Sequence, residues 1–305
     1  LPALTQPVND LAGAIDAASA REMDRRIRAL QAQTGDAIIV ATPHSQRVEI
    51  ISAAAKAGKH VFTEKPMALH RQEADAMIGV CAKHNVTLAV GFNWRFQPAL
   101  QEMKRAIDSS KLGKLLHMEG NFNGPSVYRV SKDHWRQNRE EGPAGGMTGR
   151  GVHVVDAMLY LAGKIDTVHA QSHRIALDYG TDDTTSMLFK FKGGATGYLG
   201  TFIATAETWR MQVFGSHGWA LVGDVEHLTT WDLSTCMIDR EHITVKQRPT
   251  VRSFPKTSTE RAELEHFAKQ AAARQPLALP GGDAVHNVAV LQAIVDSIAT
   301  QQPVR

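Results

Sequence analysis

Apolar positions along this chain follow two alternating rhythms. Ala20, Met23, Ile27 and Leu30 stand three and four apart, the period of a helix with one buried face. Asp16 is placed to cap that helix and Gly35 to close it. Ala37-Ile38-Ile39-Val40-Ala41 then runs without a polar break, the pattern of a strand buried on both faces in a parallel sheet. The alternation continues with a helix predicted over 45–57 and ended by Gly58, a strand over 60–63, a helix over 71–84 and a strand over 87–90. Such an order predicts βαβ units on a parallel sheet.

Beyond Phe92 the texture changes. A helix is predicted over 98–110 and an extended stretch over 115–122, and a Gly-rich loop from Gly142 to Gly146 introduces a helix over 152–161. From 167 to 245 strand-like segments alternate with the turn signals Gly193-Gly194, Gly215-Ser216 and Gly223-Asp224, which predicts an antiparallel sheet. Helices over 259–274 and 283–299 finish the chain. The fold class is therefore α/β, an incomplete Rossmann-like parallel sheet over 1–92 followed by a domain over 93–305 with an open, largely antiparallel sheet.

Composition narrows the function classes. Lys and Arg number 34 against 31 Asp and Glu, a net +3 with no basic block, so nucleic acid is not the expected partner. No apolar run approaches the roughly 18 residues of a membrane span. Only Cys81 and Cys236 are present, too few for a disulfide framework or a cysteine zinc site. Residues 1–9 carry no basic-then-apolar leader pattern, and the expected location is cytoplasmic. His169 and His173 mimic a metal-ligand spacing but have no third ligand nearby, so surface histidines and no metal are expected.

A doubly wound half-sheet invites a dinucleotide fingerprint, in which glycine lets the backbone approach a pyrophosphate at a helix N-terminus. The first 57 residues hold only Gly13 and Gly35, so that fingerprint is absent. Other motifs are specific. Thr42-Pro43, Gly58-Lys59-His60-Val61-Phe62-Thr63-Glu64-Lys65-Pro66, Gly91-Phe92-Asn93-Trp94-Arg95-Phe96, Trp135-Arg136, Gly151-Val152-His153-Val154-Val155-Asp156 and Gly282-Asp283-Ala284 occur in this order. In order and spacing they resemble the Gfo/Idh/MocA oxidoreductase family over about 36–305.

That resemblance implies an N-terminal Rossmann domain for NAD or NADP, a C-terminal domain for a sugar, polyol or related substrate, and hydride transfer at a carbinol carbon. It implies Lys65 and His153 as catalytic residues. A histidine titrates where a hydroxyl proton must be taken, and an ammonium stabilises an alkoxide as charge develops. It implies cofactor contacts from Thr42, Pro43, His44, Glu64, Lys65, Trp135 and Arg136, and substrate contacts from Asn93, Arg95 and Asp156. It implies a Lys65–Pro66 bond that is commonly cis, and a homo-oligomer formed through the C-terminal sheet. Three positions depart from the family pattern: Gly149 stands where an aspartate is frequent, and His44 and Arg47 stand where asparagine and histidine are usual.

The start departs further. Pro2-Ala3-Leu4-Thr5, Val8-Asn9-Asp10-Leu11-Ala12-Gly13, Arg28-Ala29-Leu30 and Thr34-Gly35-Asp36 resemble the opening of the TPM domain over about 1–40. The chain thus reads as a fusion joined within 37–43. Three functions stay open on this reading: an NAD(P)-dependent oxidoreductase, a non-catalytic sugar-binding or regulatory member favoured by Gly149, and an inactive chimera favoured by the missing fingerprint.

Overall fold

The computed structural model describes Arg21, Arg25, residues 37–274 and residues 284–305. The TPM-like segment and the helix predicted before Gly35 lie outside the described residues, apart from Arg21 and Arg25, which are helical, and the first strand. The described chain opens with β1 (Ala37–Val40), α1 (Arg47–Lys56), β2 (His60–Thr63), α2 (Arg71–Lys83) and β3 (Leu88–Val90). It continues through α3 (Pro98–Asp108), β4 (Leu115–Asn123), α4 (Val152–Ala162), β5 (Ile165–His173), β6 (Thr184–Phe191) and β7 (Thr196–Phe202). Then come β8 (Thr208–Gly215), β9 (Gly218–Asp224), β10 (Asp232–Met237), β11 (Thr250–Ser253), α5 (Thr259–Ala272) and α6 (Ala284–Thr300).

Two units result. One takes the chain up to Phe92 together with Glu260–Pro280, and the other takes Asn93–Thr259 with Gly281–Arg305. In the first unit β1, β2 and β3 pair in parallel in that order, with Ala37 opposite His60 and Val61 opposite Leu88. Every residue of β2 is buried, the polar His60 and Thr63 included. Helix α5 packs on this sheet: Leu264, Phe267 and Ala271, three and four apart, meet Ala37, Phe62 and Ala89. The Phe62 and Phe267 rings lie 5.7 Å apart and tilted. The division of the sequence at Phe92 groups this helix with 93–305, but its apolar stripe is satisfied by the first sheet.

The second unit is built on a sheet that has eight strands among the described residues, in the order β11-β10-β9-β8-β4-β7-β6-β5. All neighbours are antiparallel except β4 and β7, because β4 inserts between β7 and β8. Thr185, Met187, Phe189 and Phe191 of β6 are buried while Leu188 and Lys190 are exposed, so one sheet face is covered and the other open. Helix α4 is buried at every position from Val152 to Leu159, the pattern of a helix enclosed on all sides. At the β5 edge Val168 exchanges two 2.8 Å backbone hydrogen bonds with Val304. At the other edge β11 is exposed throughout.

The Gly-rich loop serves packing. Gly145 has φ +56°, and a Cβ there would lie 2.0 Å from the Asp182 carbonyl oxygen. Met147–Gly151 then form a π-helical turn that runs into α4. Within it Gly149 is exposed, and a Cβ there would have nothing within 4 Å. Gly145→Ala is therefore expected to lose about 2–4 kcal/mol, from left-handed backbone strain and overpacking together. Gly149→Ala should melt at the parent's temperature or slightly above it, since alanine favours helix by about 1 kcal/mol. Thermal denaturation of the two variants checks both, and equal melting of the two would refute the packing role of the loop.

Candidate functional site

Parallel strands place the carboxyl ends of β1, β2 and β3 on one edge of the first sheet, the end at which open α/β sheets take ligands. The loops leaving that edge are held by one side chain, Arg47, which is buried at the start of α1. Its Nε and Nη2 donate to the Thr42 carbonyl at 3.2 and 3.0 Å. Its Nη1 donates to the Glu64 carbonyl at 2.5 Å and also to the Pro66 carbonyl. Lys65 lies between those two anchored residues. Its peptide to Pro66 is cis, and its own N–H donates to Glu64 Oε2 at 3.2 Å. Thr42 and His44 are buried beside this loop, Pro43 and Lys65 half-buried. Arg47 thus joins the segment after β1 to the Glu-Lys-Pro segment after β2.

In the second unit His153 occupies the first turn of α4 and is buried. Its imidazole stacks on Trp94, with ring centroids 5.5 Å apart and planes 21° apart, and lies 6.1 Å from Phe122. Trp94 also meets Trp209 at 4.7 Å, and Phe122 carries the Arg150 guanidinium 4.7 Å over its face. Burial is the largest influence on Arg150 and lowers it, against the opposing pull of Glu207. One turn beyond His153, Asp156 accepts from Arg95 Nε and Nη2, both at 2.8 Å. Both side chains are essentially without solvent exposure. Burial raises the Asp156 carboxyl above its ordinary value, and Arg95 opposes that rise.

The structure thus groups the residues anticipated from the sequence in three ways. Thr42, Pro43, His44, Glu64 and Lys65 stand together in the first unit. Asn93, Arg95, His153 and Asp156 belong to the second, but Arg95 and Asp156 face each other. Asn93 Nδ2 donates to Thr259 Oγ1 at 3.1 Å, joining the point where the chain enters this unit to the point where it first leaves it. Trp135 and Arg136 lie on a 3-10 turn, with the Arg136 guanidinium 4.4 Å above the Trp135 ring. The neighbouring His134 accepts from the Arg136 N–H, and burial, then the Arg136 charge, lowers its titration.

Sequence patterns miss His227. It lies in the loop after β9, its ring 4.7 Å from Phe122, 5.8 Å from Trp94 and 6.3 Å from His153. No motif surrounds it, and only folding brings it to the Trp94 and His153 stack. Among the described residues, no three His, Cys, Asp or Glu side chains gather in a way that holds a metal ion. No described helix is long and apolar enough to cross a membrane.

Removing one partner of the buried pair tests what it holds. Asp156→Asn leaves Arg95 charged and uncompensated, so a loss of about 3–5 kcal/mol is expected in urea unfolding. The double variant Arg95→Met with Asp156→Leu should recover most of that loss. A single variant as stable as the parent would refute the clamp.

A family model described as an oxidoreductase family, NAD-binding Rossmann fold, matches residues 6–92, and the GFO/IDH/MocA C-terminal domain matches residues 100–221. The first match takes in most of the segment that resembles the TPM opening. The oxidoreductase YrbE of Bacillus subtilis (strain 168) is 26% identical over 279 residues, 88% of this chain and 77% of that protein. Myo-inositol 2-dehydrogenase of Thermotoga maritima is 29% identical over 64% of this chain, which spans 58% of that relative's length. A levoglucosan dehydrogenase solved with NADH and levoglucosan superposes with a TM-score of 0.74 at 22% identity, over 88% of this chain and 80% of that one, a likeness of fold. With both halves of one family matched in order along its length, the chain belongs to the Gfo/Idh/MocA family of oxidoreductases.

Proposed function

We propose that this chain catalyses reversible hydride transfer between NAD or NADP and a carbinol carbon of a small sugar or polyol. One observation carries the reading: a buried imidazole, His153, is held against Trp94 on a helix fixed by a buried ion pair. It stands in a chain whose first part matches an NAD-binding family. The carboxyl ends of three parallel strands, with the loops fastened by Arg47, fit a dinucleotide laid across that edge. The family pattern would assign its contacts to Thr42, Pro43, His44, Glu64, Lys65, Trp135 and Arg136. When bound, the nicotinamide C4 supplies the hydride acceptor or donor.

The chain's own groups handle the proton and the charge. His153 accepts the hydroxyl proton as the carbinol is oxidised and returns it in the reverse direction. The Lys65 ammonium stabilises negative charge developing on the substrate oxygen. The aromatic faces of Trp94 and Phe122 offer apolar surface to the C–H side of a sugar ring and keep water from the imidazole. Arg95 and Asp156 act through His153, by fixing its helix, with no free hydrogen-bonding edge turned to a substrate. The same reading has two copies meeting through the open sheet face, on which exposed Leu188 lies, in a cytoplasmic protein; size-exclusion chromatography tests the association.

A second reading, a sugar-binding member without turnover, draws on Gly149, where the structure has open space in place of the side chain frequent in the family. Titration with NADH and NADPH, followed by a screen of sugars and polyols, separates the two. Saturable binding with turnover is expected, and Lys65→Ala and His153→Ala should each lower kcat by about 10²–10⁴-fold. A folded sample that binds sugar but neither nucleotide would support the second reading. Variants that turn over as fast as the parent would remove the catalytic roles.

A further inference from the structure

Arg47 and Arg95 each face a full set of acceptors, three peptide carbonyls in one case and both carboxylate oxygens of Asp156 in the other. Arg150, three residues before His153, does not. Its side chain is only 15% exposed, yet among the described residues one hydrogen bond of normal length holds it, from Nη1 to the Asn123 carbonyl at 2.6 Å. Glu207 Oε1 stands 3.8 Å from its Nη2, beyond normal hydrogen-bonding range, and 2.8 Å from Arg129 Nη2. A guanidinium carries five N–H donors, so most of those on Arg150 are left to solvent or to a ligand.

The guanidinium is nonetheless fixed in place. It lies 4.7 Å over the Phe122 ring and close against Gly124, where a Cβ would come 2.7 Å from Nη1 and 2.9 Å from Nη2. Serving one carbonyl does not require a cation, since a neutral amide would do it. Nor is the charge matched in kind. Glu207 is 36% exposed, and Glu226, whose charge also reaches Arg150, is 54% exposed. Carboxylates so well hydrated compensate a largely buried cation incompletely. Phe122 is also a neighbour of His153, so one molecule of sugar size can address the guanidinium and the imidazole together.

We infer that Arg150 is a substrate-recognising residue, whose guanidinium takes an anionic group, a carboxylate or phosphate, carried by the same molecule whose carbinol His153 handles. The inference rests on the proposed function and narrows it: the substrate class is an acidic sugar or polyol. The planar fork matches two oxygens of either anion, and the more exposed Arg129, across Glu207, adds a second positive charge. A site built around such donors discriminates against the neutral analogue.

The parent is assayed with NAD and NADP on D-glucose, D-galactose and myo-inositol, each beside its acidic counterparts: D-glucuronate and D-galacturonate, the two hexose 6-phosphates and myo-inositol 1-phosphate. An acidic member should be preferred over its neutral partner by about 10–150-fold in kcat/KM, the worth of one hydrogen bond to a charged group. A preferred uronate identifies the anion as a carboxylate, and a preferred ester identifies it as a phosphate. Arg150→Gln keeps a donor for the Asn123 carbonyl and removes the charge. It should lose the preference through a raised KM for the acidic substrate, whereas a merely structural role would weaken neutral and acidic substrates alike. Glu207→Gln removes the carboxylate beside the fork and should raise the preference. Thermal melts establish that each variant is folded. Should Arg150→Gln fail to fold, Glu207→Gln decides, and a preference that it leaves unchanged or lowers overturns the inference. Turnover of neutral substrates with no acidic preference in the parent, or a preference in Arg150→Gln equal to the parent's, overturns this inference alone. No turnover of any of these compounds overturns the proposed function, and the inference falls with it.

Discussion

Between Arg95 and Asp156 a full positive and a full negative charge are enclosed together, with two guanidinium nitrogens and both carboxylate oxygens engaged at 2.8 Å. Neither group can be displaced without stranding the other in a medium that solvates charge poorly. Trp94 precedes Arg95 in the chain, and His153 lies one helical turn before Asp156. The stack of indole on imidazole therefore inherits its geometry from the pair beneath it. What the pair contributes is less stability than register: it allows one placement of α4 against the segment that follows Phe92.

The first unit solves a similar problem with a different partner. Arg47 is also a buried guanidinium, but it faces peptide carbonyls, three of them, on two loops distant in sequence. Charge-assisted hydrogen bonds of this kind are stronger than neutral ones and directional, so a single side chain fixes the backbone on both sides of Lys65. Carbonyl dipoles compensate a buried cation less fully than a carboxylate does, and several are needed to do it. In both units a planar, forked cation supplies rigidity that glycine-bearing and turn-forming loops would otherwise lack.

Much of this was legible in the sequence, for reasons that differ by element. Strand β1 reads as an unbroken apolar run, β2 is buried at every position although His60 and Thr63 interrupt the apolar pattern, and α4 reads plainly because it is enclosed on every side. Strand β11 is exposed throughout, and Thr250–Ser253 carry no alternation to find. The parallel pairing of β4 with β7 is a matter of strand order, which hydrophobic period does not encode. The stripe of Leu264, Phe267 and Ala271 announces a buried helix face without saying which sheet buries it. Among the candidate residues, Lys65 and His153 each stand in a motif, whereas His227 reaches the Trp94 and His153 stack on a loop more than seventy residues away in sequence. Arg47 was visible as a departure from the family pattern, yet its partners are backbone atoms, and no sequence names those.

The two margins of the eight-stranded sheet are finished differently. At β5 the Val168–Val304 pair occupies backbone groups that would otherwise face outward. At β11 no described strand lies outside the last one, Val251 is exposed, and Arg252 reaches to Glu102 at 3.2 Å. A bare margin is a template for any extended segment with matching donors and acceptors, and a charged side chain on it is a common deterrent. Under conditions that loosen the fold, misassembly by strand addition would thus start from one side of the sheet, with Arg252 as its gatekeeper. Growth would be one-ended.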